Sequence, residues 1–220
     1  MDRILAKCRK CHSVFDFSSQ IQSSGKNKNA KSKDRMPVPM PPGIKTQFDG
    51  LNWIITRRWY SHKFIFLVFF CVVWNLFLFG WYSTALYGFD EGVDLIAILF
   101  PIGHVAVGVG LTYYTIAGFL NKTTITISRQ NLRVKHTPIP WRGNHNIESA
   151  KLEQLYCIEK KHKNKNGSNY SYQVHAVLCD GKSFKFLSGL EEPEQALYIE
   201  QEIETRLKIK DRFVTGEYSP

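Results

Sequence analysis

The residues whose types and spacing suit metal binding lie at the start of the chain, in the run Cys8-Arg9-Lys10-Cys11-His12. Two thiolates in a Cys-x-x-Cys spacing can bind one tetrahedral zinc ion, but a structural zinc site needs four ligands. The other three cysteines are dispersed and form no second pair. We therefore predict at most weak zinc binding in a monomer, at Cys8 and Cys11, or a site completed by a second copy. The alternative is two free thiols, and no βαβ pattern indicates a thioredoxin-type role.

A second chemically distinctive residue, His104, lies within a long apolar run that ends at Leu120. Ionisable groups at membrane depth are costly unless they are paired, so they often mark function. Asn75, in the preceding apolar run, is the nearest polar candidate for a partner. We interpret His104 as a neutral imidazole that hydrogen-bonds to Asn75, or to a carbonyl freed by Pro101, and so stabilises helix packing. The alternative is a proton or ion pathway in a small transporter. A single histidine is weak support for such a pathway.

Catalytic groups are not recognisable in the sequence. It contains no Gly-rich phosphate loop, no nucleophile in a recognisable elbow, and no cluster of His, Asp and Glu at metal-binding spacing. Glu200, Glu202 and Glu204 fall on a predicted helix, where we interpret them as its solvated face. We therefore expect a protein that is not an enzyme and has no cofactor apart from the zinc considered above.

The elements that would position these residues begin with two apolar runs, 64–87 and 95–120. Neither contains Lys or Arg, and the acidic segment 89–94 separates them. A bilayer core takes about 20 apolar residues in a helix, and backbone amides in hydrocarbon must be paired within the segment. The two runs therefore predict transmembrane helices joined as a hairpin. Small residues in the second run, such as Gly108, favour close packing within the hairpin or in a homo-oligomer.

Charge along the chain predicts its orientation in the membrane. The formal net charge is +10, and residues 1–63 hold 13 Lys and Arg against 4 Asp and Glu. Positive residues beside membrane spans stay in the cytoplasm, so we place both termini there, in a multi-pass protein of the cell (inner) membrane. Arg57, Arg58 and Lys63 precede the first run, and we expect them to face anionic lipid headgroups. The basic stretch 26–35 lacks aromatic residues, which favours lipid contact over nucleic-acid binding.

The segments before the first span differ in composition. Residues 1–17 form a degenerate zinc-knuckle-like segment, and residues 18–42 are typical of a disordered linker that is basic and then Pro-rich. Residues 43–60 contain two β-favouring runs separated by Asp49-Gly50, which predicts a β-hairpin. The alternative for this last stretch is an interfacial amphipathic helix from Leu51 to Tyr60, whose Trp residues would suit the headgroup region.

The remainder of the chain, 121–220, predicts a β domain that ends with a helix. Several short β-favouring runs are followed by apolar residues at helical spacing, namely Ala196, Ile199, Ile203 and Leu207. This order suggests a small β-barrel or sandwich plugged by a C-terminal amphipathic helix, to which the strands of 43–60 would add. The predicted fold class is an α+β membrane protein, with a two-helix transmembrane hairpin inserted in a small cytoplasmic β domain.

Three motifs are shared with a known group of proteins. They are Ile55-Thr56-Arg57-Arg58-Trp59 before the first span, His104-Val105-Ala106-Val107-Gly108 in the second, and Asn121-Lys122-Thr123-Thr124-Ile125-Thr126-Ile127 after it. The chain resembles an uncharacterised group of bacterial membrane proteins in which a two-helix hairpin interrupts a PH-like domain. An N-terminal zinc-ribbon-like segment is common there, and this chain has only its first knuckle. The resemblance covers about residues 43–217 and implies an architecture, not an activity, because PH-like folds host many functions.

These patterns together favour a non-enzymatic integral membrane protein. Its cytoplasmic PH-like domain would bind a lipid or a protein partner at the membrane surface, beside anionic headgroups. The alternative is a metal-binding or redox module, in which Cys8 and Cys11 are the functional residues and the hairpin serves only as a membrane anchor.

Overall fold

The computed structural model describes residues 5–7, 14–16, 35–87, 96, 99–164 and 167–218. The protein is mixed α and β, and its two longest helices lie between strands. In chain order the elements are β1 (Leu5–Lys7), β2 (Val14–Asp16), β3 (Ile44–Phe48), β4 (Trp53–Arg58), α1 (Lys63–Tyr87), α2 (Ile102–Leu120), β5 (Lys122–Ile127), β6 (Asn131–Thr137), β7 (His145–Glu148), β8 (Leu152–Asn164), β9 (Gly167–Leu178), β10 (Ser183–Leu190) and α3 (Pro193–Leu207).

The larger sheet is built from strands on both sides of the two long helices. It has five antiparallel strands in the order β3-β4-β5-β6-β7. β4 precedes α1 and pairs along its whole length with β5, which follows α2. The register runs from Trp53 opposite Ile127 to Arg58 opposite Lys122. Residues before α1 and after α2 therefore belong to one sheet.

The turn between β3 and β4 differs from the two-residue turn that Asp49-Gly50 favours. The two strands pair antiparallel and leave the loop 49–52 between them. The Asp49 carboxylate accepts hydrogen bonds from the backbone N–H groups of Leu51 and Asn52, at 2.9 and 2.6 Å. A loop held by an Asx-type interaction therefore replaces the tight turn. The alternative interfacial helix from Leu51 to Tyr60 is wrong, because most of this stretch is strand β4.

The second sheet, β10-β9-β8, is also antiparallel, and it shares one core with the first sheet and α3. Strand alternation and the helical spacing of α3 place the apolar side chains inside. The two sheets remain separate, so no closed barrel forms in the described ranges. Among the buried core residues are Ile55, Ile125 and Leu132 from the first sheet, Leu155, Val174 and Phe186 from the second, and Ala196, Ile199 and Ile203 from α3.

α1 and α2 are long and apolar enough, by length and composition, to cross a membrane. Only 17% and 22% of their most apolar windows are buried, unlike the core helix of a soluble domain. α2 begins at Ile102, after Pro101, which has no N–H to continue a helical ladder. Ile96 and Leu99, before this proline, are also helical, and Phe100 N–H donates to the Ile96 carbonyl at 2.9 Å. Most of 88–98 lies outside the described residues.

The two long helices pack closely at two glycines of α2, Gly108 and Gly118. A β-carbon at Gly108 would lie 3.1 Å from the Trp74 ring, and one at Gly118 would overlap the ring of Phe64. Phe64 is 3% exposed and stands one residue after the start of α1. The helices are therefore packed tightly at the end that joins the sheet, as small residues permit.

Candidate functional site

A concave pocket lies where the two sheets meet the ends of α1 and α2. Its volume is about 190 Å³, below the several hundred cubic ångströms typical of drug-sized sites. Its lining comes from the segment joining β4 to α1, from α2, from the loop between β6 and β7, and from the end of β10. We call it the basic pocket, after the cations Arg57, Lys63, Arg142 and Lys185 in its lining.

Arg57 is the innermost of these cations. It is 9% exposed, its Nε donates to Gln195 Oε1 at 2.7 Å, and its Nη2 donates to the Gly189 carbonyl at 3.0 Å. Burial lowers the pKa of Arg57, although Glu191 and Glu192 act in the opposite direction. The sequence places Arg57 at the membrane surface as a headgroup-facing cation, but in the structure its guanidinium is turned into the domain and lines the basic pocket.

Arg58 and Lys63, the other two cations predicted at the membrane surface, are exposed. Lys63 forms a salt bridge with Glu191 in which the two side chains are 47% and 50% exposed. The Glu191 carboxylate also accepts a hydrogen bond from Ser61 Oγ at 3.2 Å. This pair links the start of α1 to the segment that follows β10.

Arg142 is held at the pocket rim by aromatic contacts between its loop and α2. The preceding residue, Trp141, stacks on Tyr113 at 6.0 Å with 8° between the ring planes. The Tyr113 hydroxyl donates to the Pro140 carbonyl, and Trp141 meets Trp59 edge to face at 5.3 Å. Trp and Tyr are enriched at membrane–water interfaces. The β6–β7 loop is therefore attached to α2 rather than free in solvent.

Two histidines in the pocket lining are uncharged at neutral pH. Burial is the main cause that lowers the pKa of His136 and of His145. Trp59 Nε1 donates to Thr123 Oγ1 at 2.7 Å, and that oxygen lies 2.9 Å from His136 Nδ1. We assign the proton of His136 to Nε2, which then donates to the Gly143 backbone. His136 thus connects β5 to the β6–β7 loop.

Asn75 and His104, the polar residues predicted to lie within the membrane, are apart from the basic pocket. Asn75 Nδ2 donates to the Cys71 carbonyl at 2.7 Å and to Thr112 Oγ1 at 3.1 Å. The His104 ring stacks on Trp74 at 5.8 Å, and the His104 carbonyl accepts from Trp74 Nε1 at 3.1 Å. The predicted hydrogen bond between Asn75 and His104 is wrong. Asn75 is instead bonded to Thr112, about two helical turns further along α2.

A buried ionic cluster between α3 and the C-terminal tail was not predicted. Arg35 forms salt bridges with Glu200 at 2.7 Å, with Asp211 at 2.7 Å and with Glu217. Glu200 is 0% and Glu204 5% exposed, so their predicted place on a solvated face is wrong. Glu200, Glu204 and Asp211 offer ligand atoms within 4.8 Å of one another, a geometry that could hold a metal ion. The guanidinium of Arg35 already supplies positive charge there.

The end of the predicted linker, residues 35–42, lies along α3. Val38 N–H donates to Gln201 Oε1 at 2.9 Å, and Gln201 Nε2 donates to the Met36 carbonyl at 3.2 Å. Gln195 Nε2 donates to the Pro42 carbonyl at 3.2 Å. Disorder is therefore wrong for this part of 18–42, because glutamines of α3 satisfy its backbone. Residues 18–34 lie outside the described residues.

The cysteine pair, Cys8 and Cys11, also lies outside the described residues. The strands on either side of it, β1 and β2, pair antiparallel. Zinc binding by this pair stays a prediction.

Comparison with known proteins adds no family: a scan against protein-family models matched none, and a search of curated proteins found no match. Function must therefore follow from the geometry. The lining of the basic pocket supplies guanidinium and ammonium groups, indole rings and neutral imidazoles beside apolar helix ends. This chemistry suits the binding of an anion at an apolar boundary.

Proposed function

We propose that this chain is a non-enzymatic protein of the inner membrane whose cytoplasmic PH-like domain binds a lipid or protein partner at the membrane surface. The observation that carries the proposal is the pairing of β4 with β5 across α1 and α2. Because β4 leads into α1 and β5 follows α2, both ends of the hairpin join one sheet. The domain is then held directly beside the bilayer.

A PH-like domain is supported by the arrangement of its elements. A five-stranded and a three-stranded antiparallel sheet pack on a shared core, and the C-terminal helix α3 contributes to that core. In this proposal α1 and α2 are an insertion between two neighbouring strands. The architecture agrees with the resemblance found in the sequence, which by itself implies no activity.

The orientation is supported by charge at the ends of the hairpin. Arg58, Lys63 and Lys122 are exposed there, and residues 64–120 contain no Lys or Arg. Positive residues that flank spans are retained in the cytoplasm. The domain and both termini then face the cytoplasm, and residues 89–94 face the opposite side.

Reporter fusions test this topology. A reporter that works only in the cytoplasm should be active when fused after Leu120, because the second span ends there. A reporter that works only outside the cytoplasm should be active when inserted within 89–94. The reverse pattern would refute the orientation, and activity of the cytoplasmic reporter at both positions would refute the hairpin.

Site-specific photo-crosslinking tests the interaction itself. A photo-reactive amino acid at Ser188, which lines the basic pocket, should crosslink to a lipid or a protein in intact membranes. The control position is Asp180, in the turn before β10 and therefore at the opposite end of that strand from Ser188. Equal crosslinking at both positions would contradict a specific interaction at the pocket, and so would none at Ser188.

A further inference from the structure

We infer that the basic pocket binds the phosphate group of an anionic phospholipid, whose acyl chains lie along the exposed surface of α2. The inference rests on the proposed function, since it requires the pocket to lie at the membrane surface. It narrows the partner from a lipid or a protein to one chemical class of lipid.

The basic pocket contains more positive charge than its own residues neutralise. Lys63 is paired with Glu191, but Arg57, Arg142 and Lys185 form no salt bridge within the described ranges. Arg57 is the most informative of the three, because it is buried and donates to a side-chain amide and a backbone carbonyl, both neutral. Glu191 and Glu192 attract its charge, but within the described ranges neither forms a salt bridge with it. A buried charge without a directly bonded counter-charge is costly, and a phosphate in the pocket supplies one.

The depth of the pocket favours a lipid phosphate over a soluble anion. Phe64 and Tyr114 in its wall belong to the helices that are long enough to span a membrane. Tyr114 precedes the last residue of α2, Leu120, by about 9 Å along the helix axis. When the hairpin crosses a bilayer, the pocket mouth therefore lies at the level of the headgroups, where phospholipid phosphates are concentrated.

The surface beside the pocket suits the rest of a phospholipid. A shallow groove lined by Tyr113, Pro140, Trp141 and Arg142 adjoins the pocket, and the last two residues line both. Three of these four side chains are apolar or aromatic, and Tyr113 lies on the exposed side of α2. From the pocket towards the exposed side of α2, the surface thus changes from cations to aromatic rings and then to apolar helix side chains. The corresponding parts of a phospholipid are its phosphate, its glycerol and its acyl chains.

Native mass spectrometry of the full-length protein in mild detergent tests the inference. The probes are phosphatidylglycerol, phosphatidylcholine with the same chains, and glycerol phosphate. The test variant, Arg142→Gln with Lys185→Gln, removes two exposed pocket cations. The matched control, Arg58→Gln with Lys122→Gln, removes two exposed cations that lie at the hairpin ends but outside the pocket.

We expect the protein to bind phosphatidylglycerol more tightly than phosphatidylcholine. The affinity for phosphatidylglycerol should fall at least about tenfold in the pocket variant and less than about twofold in the control. Melting temperatures of both variants should equal that of the wild type, since all four side chains are exposed. This comparison separates pocket binding from general attraction of cations to an anionic surface.

Four outcomes would overturn the inference. Equal binding of the two lipids would show that the net negative charge of the headgroup is not recognised. Equal losses in the two variants would show diffuse surface attraction, and displacement of phosphatidylglycerol by equimolar glycerol phosphate would assign the site to a soluble anion. Crosslinking of Ser188 to a protein alone would also reject the lipid, although it would support the proposed function.

Discussion

Among single residues, Glu204 is the one whose protonation should most affect the stability of the folded protein. It is 5% exposed, and one carboxylate oxygen accepts a hydrogen bond from Leu155 N–H at 3.2 Å. Burial, followed by the charge of Glu200, raises the pKa of Glu204 from 4.5 to about 8. Between these two pH values the folded state keeps a proton that the unfolded chain loses. This group therefore makes the folded protein less stable as pH rises from 4.5 towards 8.

Glu204→Gln removes this charge and keeps an oxygen that can accept from Leu155. We expect the variant to stabilise the folded protein at about pH 9 by on the order of 1–3 kcal/mol, and to change little at about pH 4. The measurement is the melting temperature of the full-length protein in detergent at both pH values. Glu194→Gln, on the exposed side of the same helix, is the control and should leave the melting temperature unchanged at both pH values. A stabilisation that is equal at both pH values would contradict a raised pKa.

The burial of some of these residues can be predicted from the sequence, and the burial of others cannot. Arg57 lies two residues after Ile55, so strand alternation places both on the core face, and its burial was predictable. The burial of Glu200 and Glu204 was not predictable, because Arg35, which pairs with Glu200, comes 165 residues before it. Helical periodicity reports which residues share a face, but it does not report what a distant segment will place against that face.

At the scale of elements, local sequence patterns were sufficient to predict the β3–β4 hairpin and α3. Asp49-Gly50 between β-favouring runs predicts the hairpin, and the apolar spacing from Ala196 to Ile203 predicts the helix. The exact loop was not predicted, because it depends on side-chain hydrogen bonds of Asp49. Such interactions move the end of an element without changing its type.

The packing of α1 on α2 gives a prediction at the same scale. Gly118→Val would place a branched side chain against the ring of Phe64, which is buried and cannot move aside freely. We expect a destabilisation on the order of 1–3 kcal/mol, measured as a lower melting temperature in detergent. Gly110→Val makes the same change on the same helix, where a β-carbon meets nothing within 4 Å, and should have little effect. Equal melting temperatures for the two variants would show that this contact does not hold the helices together.

For the whole molecule, the division of the sheet by the hairpin determines which fragments can fold. The fragment 121–220 lacks β4, so β5 would become an exposed edge and the core would lose Ile55, which is 0% exposed. Exposed edge strands promote aggregation. We expect this fragment to aggregate in size-exclusion chromatography, and to become monomeric when residues 43–60 are added in trans or by fusion. A folded, monomeric fragment of equal thermal stability would contradict the contribution of β4.

Two apolar runs without Lys or Arg are the feature of the sequence that predicts a membrane protein. The basic pocket is different. Its cations come from β4, the start of α1, the β6–β7 loop and β10, and only the folded chain brings them together. A sequence shows such residues as scattered surface charges.

The register between β4 and β5 also has a mechanical consequence. α1 and α2 contain 25 and 19 residues, about 38 and 29 Å long, against a hydrocarbon core of about 30 Å. Bilayers of different thickness impose different helix tilts. Because both helices leave one hydrogen-bonded sheet, they cannot tilt independently at that end, and the domain turns with them. Hydrophobic thickness would therefore set the angle at which the pocket mouth meets the lipid surface.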